Sequence, residues 1–388
     1  MVNLGVVKPV VRSLEHSGLE YLLRDDVTAE PTVGFFETLV ENLDLEDFDS
    51  ILAVGGGSVI DVAKGLAVIA QFGGRIRDYG GLDRIPEPLT RKIIAVPTTS
   101  GTGSEISDGI VLIDEKIQSK FLVLSTRLCP AVAITDPEIT KSMPPNITAN
   151  SGVDALTHAI ESYLSKDASV ASELFSIRAI ELIGSGLKRA YHHGEDIDAR
   201  EAVQVGSTMA MIAGMNAHMG LCHAMVMPLC ALYHIPHGQA CGMVLPHVLR
   251  YNQGALEIKV ANIFKALGFI DIEADTPVLH AESTTARKAG GLDFTAAGGK
   301  RQGREVPQSL RVEAGAKPRR GGIWKTQSYQ RLNALLDEVG ISARLSDFGF
   351  REDHMQTIVQ ETFNSVQCQF NPRKTSEADI IGIVKKMI

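Results

Sequence analysis

The sequence predicts an α/β domain followed by an all-helical domain. The chain has 388 residues, which is long enough for two or three domains of roughly 150 residues each. Short β-branched runs alternate with a helical segment up to residue 137, whereas the apolar periodicity is helical from residue 147 onward. We therefore expect two domains, spanning residues 1–141 and 142–388.

The elements of the first domain can be assigned in order. An amphipathic segment at 35–43 precedes an apolar strand at 51–54, and apolar residues then recur at helical spacing from 58 to 71. Four more strands are predicted at 92–96, 110–113, 121–124 and 132–135. Asp136 and Pro137 end the strand pattern, because this dipeptide is typical of a turn.

The composition excludes several classes of partner. Lysine and arginine number 38 against 46 aspartates and glutamates, a net charge of −8, and no basic stripe runs through the sequence as nucleic-acid binding requires. The five cysteines are scattered without a CxxC pair, which argues against a disulfide framework or a four-cysteine zinc site. A reducing cytoplasm fits this pattern, and the first twelve residues do not resemble a secretory signal.

One long uncharged stretch raises the question of a membrane. Residues 202–249 contain no Asp, Glu, Lys or Arg, but five histidines and three prolines interrupt them. Lipid tolerates such residues poorly. We therefore expect buried helices of a soluble domain and no membrane partner.

A second unusual stretch, residues 274–325, is basic and rich in glycine. It holds ten Lys or Arg against five Asp or Glu, together with eight glycines, in a chain that is acidic as a whole. Neither helical nor alternating periodicity runs through it. We expect a disordered or aberrant segment rather than a nucleic-acid-binding loop, which would carry more interleaved aromatic residues.

A glycine-rich turn follows the strand predicted at 51–54. The run from Gly55 through Gly56 and Gly57 to Ser58 leads directly into a helix, so free backbone N–H groups and the positive end of the helix dipole meet at one point. A pyrophosphate could bind there, although the spacing matches neither GxGxxG nor GxxxxGK[ST]. The alternative is a turn with Ser58 as the N-cap and no ligand.

A second loop, residues 97–105, follows the strand predicted at 92–96. Its sequence PTTSGTGSE combines hydroxyl groups with permissive glycines. Loops at the carboxyl ends of strands line the ligand crevice of an open α/β sheet, although an isolated Ser/Thr/Gly turn is also common without a ligand. Two such loops after two strands favour a phosphate-containing ligand.

Candidate metal ligands lie in the helical half. Asp154 and His158 are four residues apart in a predicted helix and project from one face, apart from its apolar stripe. His223 and His237 lie in the uncharged stretch, where a shared metal ion could satisfy them, although each alone is more often a hydrogen-bonded core residue. One carboxylate and three imidazoles would suit Fe²⁺ or Zn²⁺, and Cys241 is a competing ligand that would favour zinc.

These residues carry a resemblance to a known family. The chain resembles the iron-containing (group III) alcohol dehydrogenases. The motifs are GGGSVIDVAKG at 55–65, PTTSGTGSE at 97–105, NSGVDALTHAIESYLS at 150–165 and GLCHAMVMPLCALYHIPHGQACGMVLPHV at 220–248. The resemblance covers about residues 1–272 and resumes at 332–388. It implies an α/β dinucleotide-binding domain followed by an all-α metal-binding domain, with the active site in the cleft between them.

The resemblance also implies roles for individual residues and partners for the chain. Asp154, His158, His223 and His237 would be the metal ligands through which catalysis proceeds. Cofactor contacts would come from Gly56, Gly57, Ser58, Asp61, Thr98, Thr99 and Thr102. NAD or NADP and a divalent metal ion would be the cofactors, a small alcohol or aldehyde the substrate, and a homo-oligomer the assembly.

Three departures from the family pattern affect these expectations. The opening strands that normally meet the adenine ribose are missing, so the choice between NAD and NADP stays open. Met227 occupies the place of a second histidine often discussed as a proton relay, which leaves His218 as a candidate relay. Residues 274–325 replace a region that is helical in relatives, and their composition resembles out-of-frame translation.

The expected reaction is reversible hydride transfer between a small primary alcohol or diol and nicotinamide, with a metal ion as Lewis acid. Two architectural relatives, glycerol dehydrogenase and a dehydroquinate-synthase-like lyase, are alternatives. The lyase would need more basic residues to bind an anionic substrate. A rival of another class is a catalytically impaired, truncated remnant that binds metal or assembles with partners.

Overall fold

A computed structural model describes residues 5–45, 48–116, 119–270, 323–341 and 343–388. The part before residue 137 is built from helices and short strands. In chain order these are α1 (Lys8–His16), α2 (Val33–Glu41), β1 (Ser50–Gly55), α3 (Gly57–Phe72), β2 (Gly81–Leu82), β3 (Lys92–Pro97), β4 (Gly109–Asp114), β5 (Ser119–Leu124) and β6 (Val132–Ala133).

These strands form two three-stranded sheets. In the first, β3 pairs in parallel with β1, from Ser50 opposite Lys92 to Gly55 opposite Pro97, and also with β6. In the second, β5 pairs antiparallel with β4 and parallel with β2. The predicted strands are confirmed in place, but the last one is shorter than expected, since β6 covers only two residues.

The helices begin where the sequence offers caps. Thr32 accepts a hydrogen bond from the N–H of Phe35 at the start of α2, and Asp136 caps the short helix α4 (Pro137–Thr140). The remaining helices are α5 (Pro145–Leu164), α6 (Val170–His192), α7 (Ile197–Ala217), α8 (Leu221–Tyr233), α9 (His237–Gln253), α10 (Glu257–Ala266), α11 (Ile323–Glu338), α12 (Met355–Asn364) and α13 (Glu377–Val384).

Helix α5 is the centre of the helical part. Its residues from Val153 to Leu164 are all buried, and it packs against α6, α7 and α9. A continuous apolar core surrounds it, including Leu156 and Ile160, each fully buried. A polar side chain on this helix is therefore shielded from bulk water and needs a partner inside the protein.

The uncharged stretch forms parts of α7 and α9 and the whole of α8. Among the described residues, no single helix is long and apolar enough to cross a membrane, and only α7 and α8 taken together, bent by 106°, reach the necessary length and composition.

An irregular segment was expected at 274–325. Its residues 274–322 lie outside the described part of the chain. Its last three residues form the start of α11 instead, so the expected boundary is corrected. The reason is packing: Trp324 meets Phe264 of α10 edge to face, with ring centroids 6.4 Å apart, and Lys325 pairs with Glu257 at 2.6 Å.

Candidate metal centre and cofactor loops

Three imidazoles and a carboxylate converge inside the helical part. Nε2 of His158 lies 3.6 Å from Oδ1 of Asp154, one turn earlier on α5. Nε2 of His223, on α8, and Nε2 of His237, the first residue of α9, each lie 3.5 Å from the same oxygen. Helix pairing that the sequence could not specify therefore brings all four predicted ligands together.

The three distances from Oδ1 of Asp154 to the imidazoles fit a single small cation. Ligands about 2.0–2.2 Å from a tetrahedral ion lie roughly 3.3–3.6 Å from one another. Nε2 of His223 is buried and has no hydrogen-bond partner, which is unusual for an imidazole nitrogen inside a protein. The rings of His158 and His223 stack, with centroids 4.7 Å apart. A metal ion would give the unpartnered nitrogen its missing contact.

Glu161 fixes the orientation of His223. Oε2 of this buried carboxylate lies 2.7 Å from Nδ1 of His223 and accepts the backbone N–H of the same residue at 3.1 Å. Its other oxygen accepts the N–H of Cys222. With Nδ1–H donating to Glu161, Nε2 keeps its lone pair for the metal, the usual arrangement of a carboxylate behind a ligating histidine.

Electrostatics couple the members of this cluster. Burial raises the pKa of Asp154, but the nearby imidazoles of His158, His237 and His223 outweigh burial and hold that pKa well below its usual range. Burial opposes charge on His223, yet the neighbouring carboxylates of Asp154 and Glu161 raise its pKa to about 9. The cluster therefore concentrates negative charge where a cation would bind.

His237 forms the open side of the cluster. Its side chain is 26% exposed, against 5–8% for the other three predicted ligands. Nζ of Lys120, on β5, lies 3.3 Å from Nδ1 of His237. Burial and the charge of Lys120 both lower the pKa of His237. The side of His237 next to β5 is therefore the most exposed part of the cluster.

Cys241 adds a fifth donor. Its thiol, one turn into α9 and fully buried, donates to Oδ1 of Asp154 at 3.5 Å. Among the described residues, donor atoms of Asp154, His223, His237 and Cys241 all lie within 4.8 Å of one another. The competing ligand expected from the sequence thus lies beside the predicted set, and not in a separate part of the core.

The glycine turn joins β1 to α3 as predicted. The helix begins at Gly57, with Gly56 in the N-cap position and no side chain capping it. Ser58 is not the N-cap, because its hydroxyl accepts the backbone N–H of Glu30 at 3.2 Å. The expected N-cap at Ser58 is therefore corrected to Gly56, and no side chain caps this helix N-terminus.

The second loop lies against the glycine turn. A Cβ built on Gly56 would lie 3.2 Å from Oγ1 of Thr99, and one built on Gly57 would lie 2.8 Å from Oγ1 of Thr102. The N–H of Thr98 donates to the carbonyl of Gly55 at 2.9 Å, while the buried hydroxyl of Thr98 has no partner. The structure thus brings the two loops together, as the sequence predicted.

Asp61 has a different environment from the other predicted cofactor residues. Its buried carboxylate accepts hydrogen bonds from the hydroxyl of Ser104 and from the N–H of Val111. Nζ of Lys64, also fully buried, lies 3.8 Å away and donates to the carbonyl of Gly109 at 2.9 Å. These contacts tie α3 to the second loop and to β4.

The second loop also contacts α5, the helix that carries Asp154 and His158. A Cβ built on Gly101 would lie 2.6 Å from that of Ser151, which precedes Asp154 on α5. Thr208 of α7 donates to the buried carboxylate of Glu105 at 2.9 Å. Because this loop touches both the glycine turn and α5, the two predicted sites form one continuous region.

The candidate relay His218 is not part of this region. Its ring stacks on Phe370, with centroids 4.1 Å apart, and its Nε2 lies 3.9 Å from Asp167. Two residues that contact the predicted ligands, Glu161 and Lys120, were not predicted from the sequence. Glu161 could have been found, because it lies three residues after His158 on the same helix face, whereas Lys120 reaches His237 only through sheet pairing.

An imidazole–carboxylate centre next to two pyrophosphate-type loops defines a class of enzyme: dehydrogenases that combine a divalent metal ion with a nicotinamide nucleotide. Two family models match the chain in agreement with this class. "Iron-containing alcohol dehydrogenase" covers residues 1–137, and "Fe-containing alcohol dehydrogenase family, C-terminal" covers 148–289 and 304–388.

Relatives and solved structures agree with these matches. The NAD-dependent methanol dehydrogenase of Bacillus methanolicus is 29% identical over 100% of this chain and 89% of its own. The lactaldehyde reductase of Escherichia coli K12 is 30% identical over 99% and 88%. The crystal structure of a 1,3-propanediol oxidoreductase superposes with a TM-score of 0.82 and 30% identity, covering 99% and 88% of the two chains.

The chain belongs to the iron-containing alcohol dehydrogenase family. It is an oxidoreductase that interconverts alcohols and aldehydes with a metal ion and a nicotinamide nucleotide.

Proposed function

We propose that Asp154, His158, His223 and His237 hold Fe²⁺, or Zn²⁺ in its place, and that the enzyme interconverts a small primary alcohol or diol with its aldehyde. The observation that carries this proposal is the convergence of three Nε2 atoms on one Asp154 oxygen at 3.5–3.6 Å. A divalent ion held there supplies Lewis acidity, which lowers the pKa of an alcohol hydroxyl.

The chain's own residues prepare the centre for this chemistry. Glu161 holds His223 in one tautomer and one orientation, so its Nε2 needs no rearrangement to bind. Asp154 supplies the negative charge. The partial exposure of His237 leaves an approach for substrate, while the three other side chains exclude water from the rest of the cluster.

The cofactor would lie along the two loops. We propose that Gly56, Gly57 and Ser58 bind its pyrophosphate at the start of α3, and that Thr98, Thr99 and Thr102 contact it from the second loop. Asp61 would act by holding that loop through Ser104. NAD is proposed over NADP, because one relative is named as NAD-dependent and a 25% identical sulfoacetaldehyde reductase was solved with NAD⁺.

The proposed substrate class is supported by the relatives. Methanol, 1,3-propanediol and lactaldehyde are named for three of them, and each is a small alcohol or aldehyde. Lys120 places a cationic side chain next to His237. We propose substrates of one to three carbons that present a primary hydroxyl or an aldehyde.

The test is turnover of the metal-free protein and the same protein reloaded anaerobically with Fe²⁺. Methanol, 1,2-propanediol, 1,3-propanediol and lactaldehyde are offered with NAD or NADP, and the absorbance of the reduced nicotinamide is followed. We expect activity that depends on Fe²⁺ and is faster with NAD. Activity that is unchanged by complete metal removal would contradict the proposal.

We also propose that the enzyme is a homo-oligomer in the cytoplasm. Val170, Leu174 and Phe175 near the start of α6 are 79%, 69% and 36% exposed, a cluster that association would cover. The five free thiols suit a reducing compartment. Light scattering during gel filtration tests the assembly, and a monomer at micromolar concentration would contradict it.

A further inference from the structure

The fifth donor at the metal centre, Cys241, has no role in the proposed set of ligands. Its Sγ lies 3.5 Å from Oδ1 of Asp154, the same distance as the Nε2 atoms of His223 and His237. The thiol is fully buried and donates its one hydrogen bond to that carboxylate. It therefore occupies a ligand-like position around the oxygen on which the imidazoles converge.

The donor atoms also divide into two overlapping sets. One set is Asp154 with His158, His223 and His237. The other replaces His158 by Cys241, and its four atoms all lie within 4.8 Å of one another. The unpartnered, buried Nε2 of His223 belongs to both sets and points to an ion between them. The first set offers only nitrogen and oxygen, whereas the second includes sulfur.

Ligand softness makes the two sets unequal for different metals. Thiolate ligands select strongly thiophilic ions such as Cd²⁺, whereas imidazole with carboxylate suits Fe²⁺ and also accepts Zn²⁺. We propose that Cys241 is a conditional ligand: Fe²⁺ uses His158, whereas a thiophilic ion is held by Asp154, His223, His237 and the Cys241 thiolate. This inference rests on the proposed metal site and adds a second mode of binding to it.

The step is balanced by the loss of one proton. As the metal–sulfur bond forms, the S–H bond of Cys241 breaks and its proton passes to solvent, with no oxidation or reduction. The hydrogen bond from the thiol to Asp154 is lost at the same time, which frees that oxygen for the ion. In this mode His158 would make no bond to the ion.

Cadmium is the probe for this mode, because bonds to thiolate give a charge-transfer absorption in the ultraviolet. Metal-free protein is titrated with Cd²⁺ alone. We expect one equivalent to produce the band in the wild-type protein and in His158→Ala, and no band in Cys241→Ser. The affinity for Cd²⁺ should fall by more than about 100-fold in Cys241→Ser, because removal of an outer partner alone typically costs about 10–100-fold.

Two neighbouring thiols provide matched controls. Sγ of Cys222 donates to the carbonyl of Cys241 at 3.7 Å, and Sγ of Cys230 lies 3.7 Å from Nδ1 of His237. Cys222→Ser and Cys230→Ser should keep the cadmium band. Retention of the band in Cys241→Ser, or its loss only in one of these controls, would overturn the assignment to Cys241.

Iron separates failure of this inference from failure of the proposed function. Anaerobic Fe²⁺ should bind Cys241→Ser with little change in affinity, which also shows that the variant is folded. Cadmium binding to wild type without a charge-transfer band would overturn the role of Cys241 and leave the proposed function intact. If neither ion binds the wild-type protein, the proposed metal site itself is wrong.

Discussion

At the residue scale, the centre depends on a carboxylate that does not face the metal position. Glu161 accepts hydrogen bonds from Nδ1–H and N–H of His223 and from N–H of Cys222. These contacts join α5 to the first turn of α8, so the position of one ligand is set by a residue on the helix that carries two others.

Glu161→Gln should weaken metal binding while preserving the fold. The amide keeps one acceptor for His223 but removes the negative charge behind the imidazole, and loss of such a partner typically costs about 10–100-fold in affinity. Competition with a chromophoric chelator measures this. Glu173→Gln, a partly exposed carboxylate paired with Lys259 on the surface, is the control and should bind metal normally. Equal affinities in both variants would argue against the orienting role.

Removal of a predicted ligand should have a larger effect. Asp154→Ala and His223→Ala each leave a buried ion with too few ligands, and His223→Ala also leaves Glu161 without its imidazole. We expect neither variant to retain iron after purification under anaerobic conditions, as judged by elemental analysis. Stoichiometric iron in both would show that the ion binds elsewhere.

At the element scale, the start of α9 must approach α5 very closely. A Cβ built on Gly238 would lie 1.8 Å from the carbonyl oxygen of Asn150, a distance that no side chain tolerates. This close approach places His237, the residue before it, opposite Asp154. The glycine is needed for lack of space, since its φ is not in the left-handed region.

Gly238→Ala should therefore displace α9 and disturb the metal centre. Overpacking of this kind costs about 1–3 kcal/mol or more in the free energy of unfolding, and metal affinity should fall with it. The control is Gly382→Ala in α13, where a Cβ meets no atom within 4 Å. Urea unfolding and chelator competition are measured on both variants. A Gly238→Ala protein as stable as the control would refute the steric argument.

A buried arginine fixes the segment between α4 and α5. Arg200 of α7 donates to the carbonyls of Met143 at 3.0 Å and Gly194 at 2.8 Å, and to the hydroxyl of Thr148 at 2.7 Å. Its side chain lies inside the protein with these neutral acceptors. These contacts connect the start of α5 and the segment before it to α7.

Arg200→Met should remove these bonds and leave several buried acceptors without donors. Each such group costs about 1–3 kcal/mol, so we expect a loss of about 3 kcal/mol or more in the free energy of unfolding. Arg178→Met, which alters an exposed pair with Glu181, should change it by no more than about 0.5 kcal/mol. If chemical denaturation gives the same stability for both variants, Arg200 is not the anchor described.

The sequence predicted elements better than it predicted their pairing. Periodicity placed α3 and β1 to within a residue or two, because their apolar patterns are local. It could not show that β4 and β5 form an antiparallel pair in a sheet separate from β1 and β3, nor that Lys120 reaches His237. Such contacts depend on chain segments far apart in sequence, and no local pattern encodes them.

At the scale of the whole molecule, the second loop connects the two halves of the site. It lies between the glycine turn, which it meets at Thr99 and Thr102, and α5, which it meets at Gly101. Buried Lys64 and Asp61 of α3 hold the loop through the hydroxyl of Ser104. A nicotinamide placed along the loop would therefore lie near the metal ligands, as hydride transfer requires.

The buried pair beneath this loop should be essential for its position. Lys64→Met leaves Asp61 as a buried carboxylate without its cation, a change that typically costs about 3–5 kcal/mol. We expect lower stability and weaker NAD binding, whereas affinity for Fe²⁺ should be retained because Lys64 does not contact the metal ligands. Calorimetry and fluorescence titration with NADH measure the two effects. Unchanged NADH affinity in a folded variant would show that the Lys64–Asp61 pair does not support cofactor binding.

We propose that one divalent ion, held by Asp154, His158, His223 and His237, is required for nicotinamide-linked alcohol oxidation. The most direct measurement is a crystal structure of the anaerobically Fe²⁺-loaded protein, with anomalous scattering recorded at the iron edge and turnover measured on the same preparation. We predict one strong peak bonded to the oxygen of Asp154 and to Nε2 of all three histidines, in an active enzyme. An active enzyme whose iron lies elsewhere, or that holds no metal, would show that an ion at these four ligands is not required for activity.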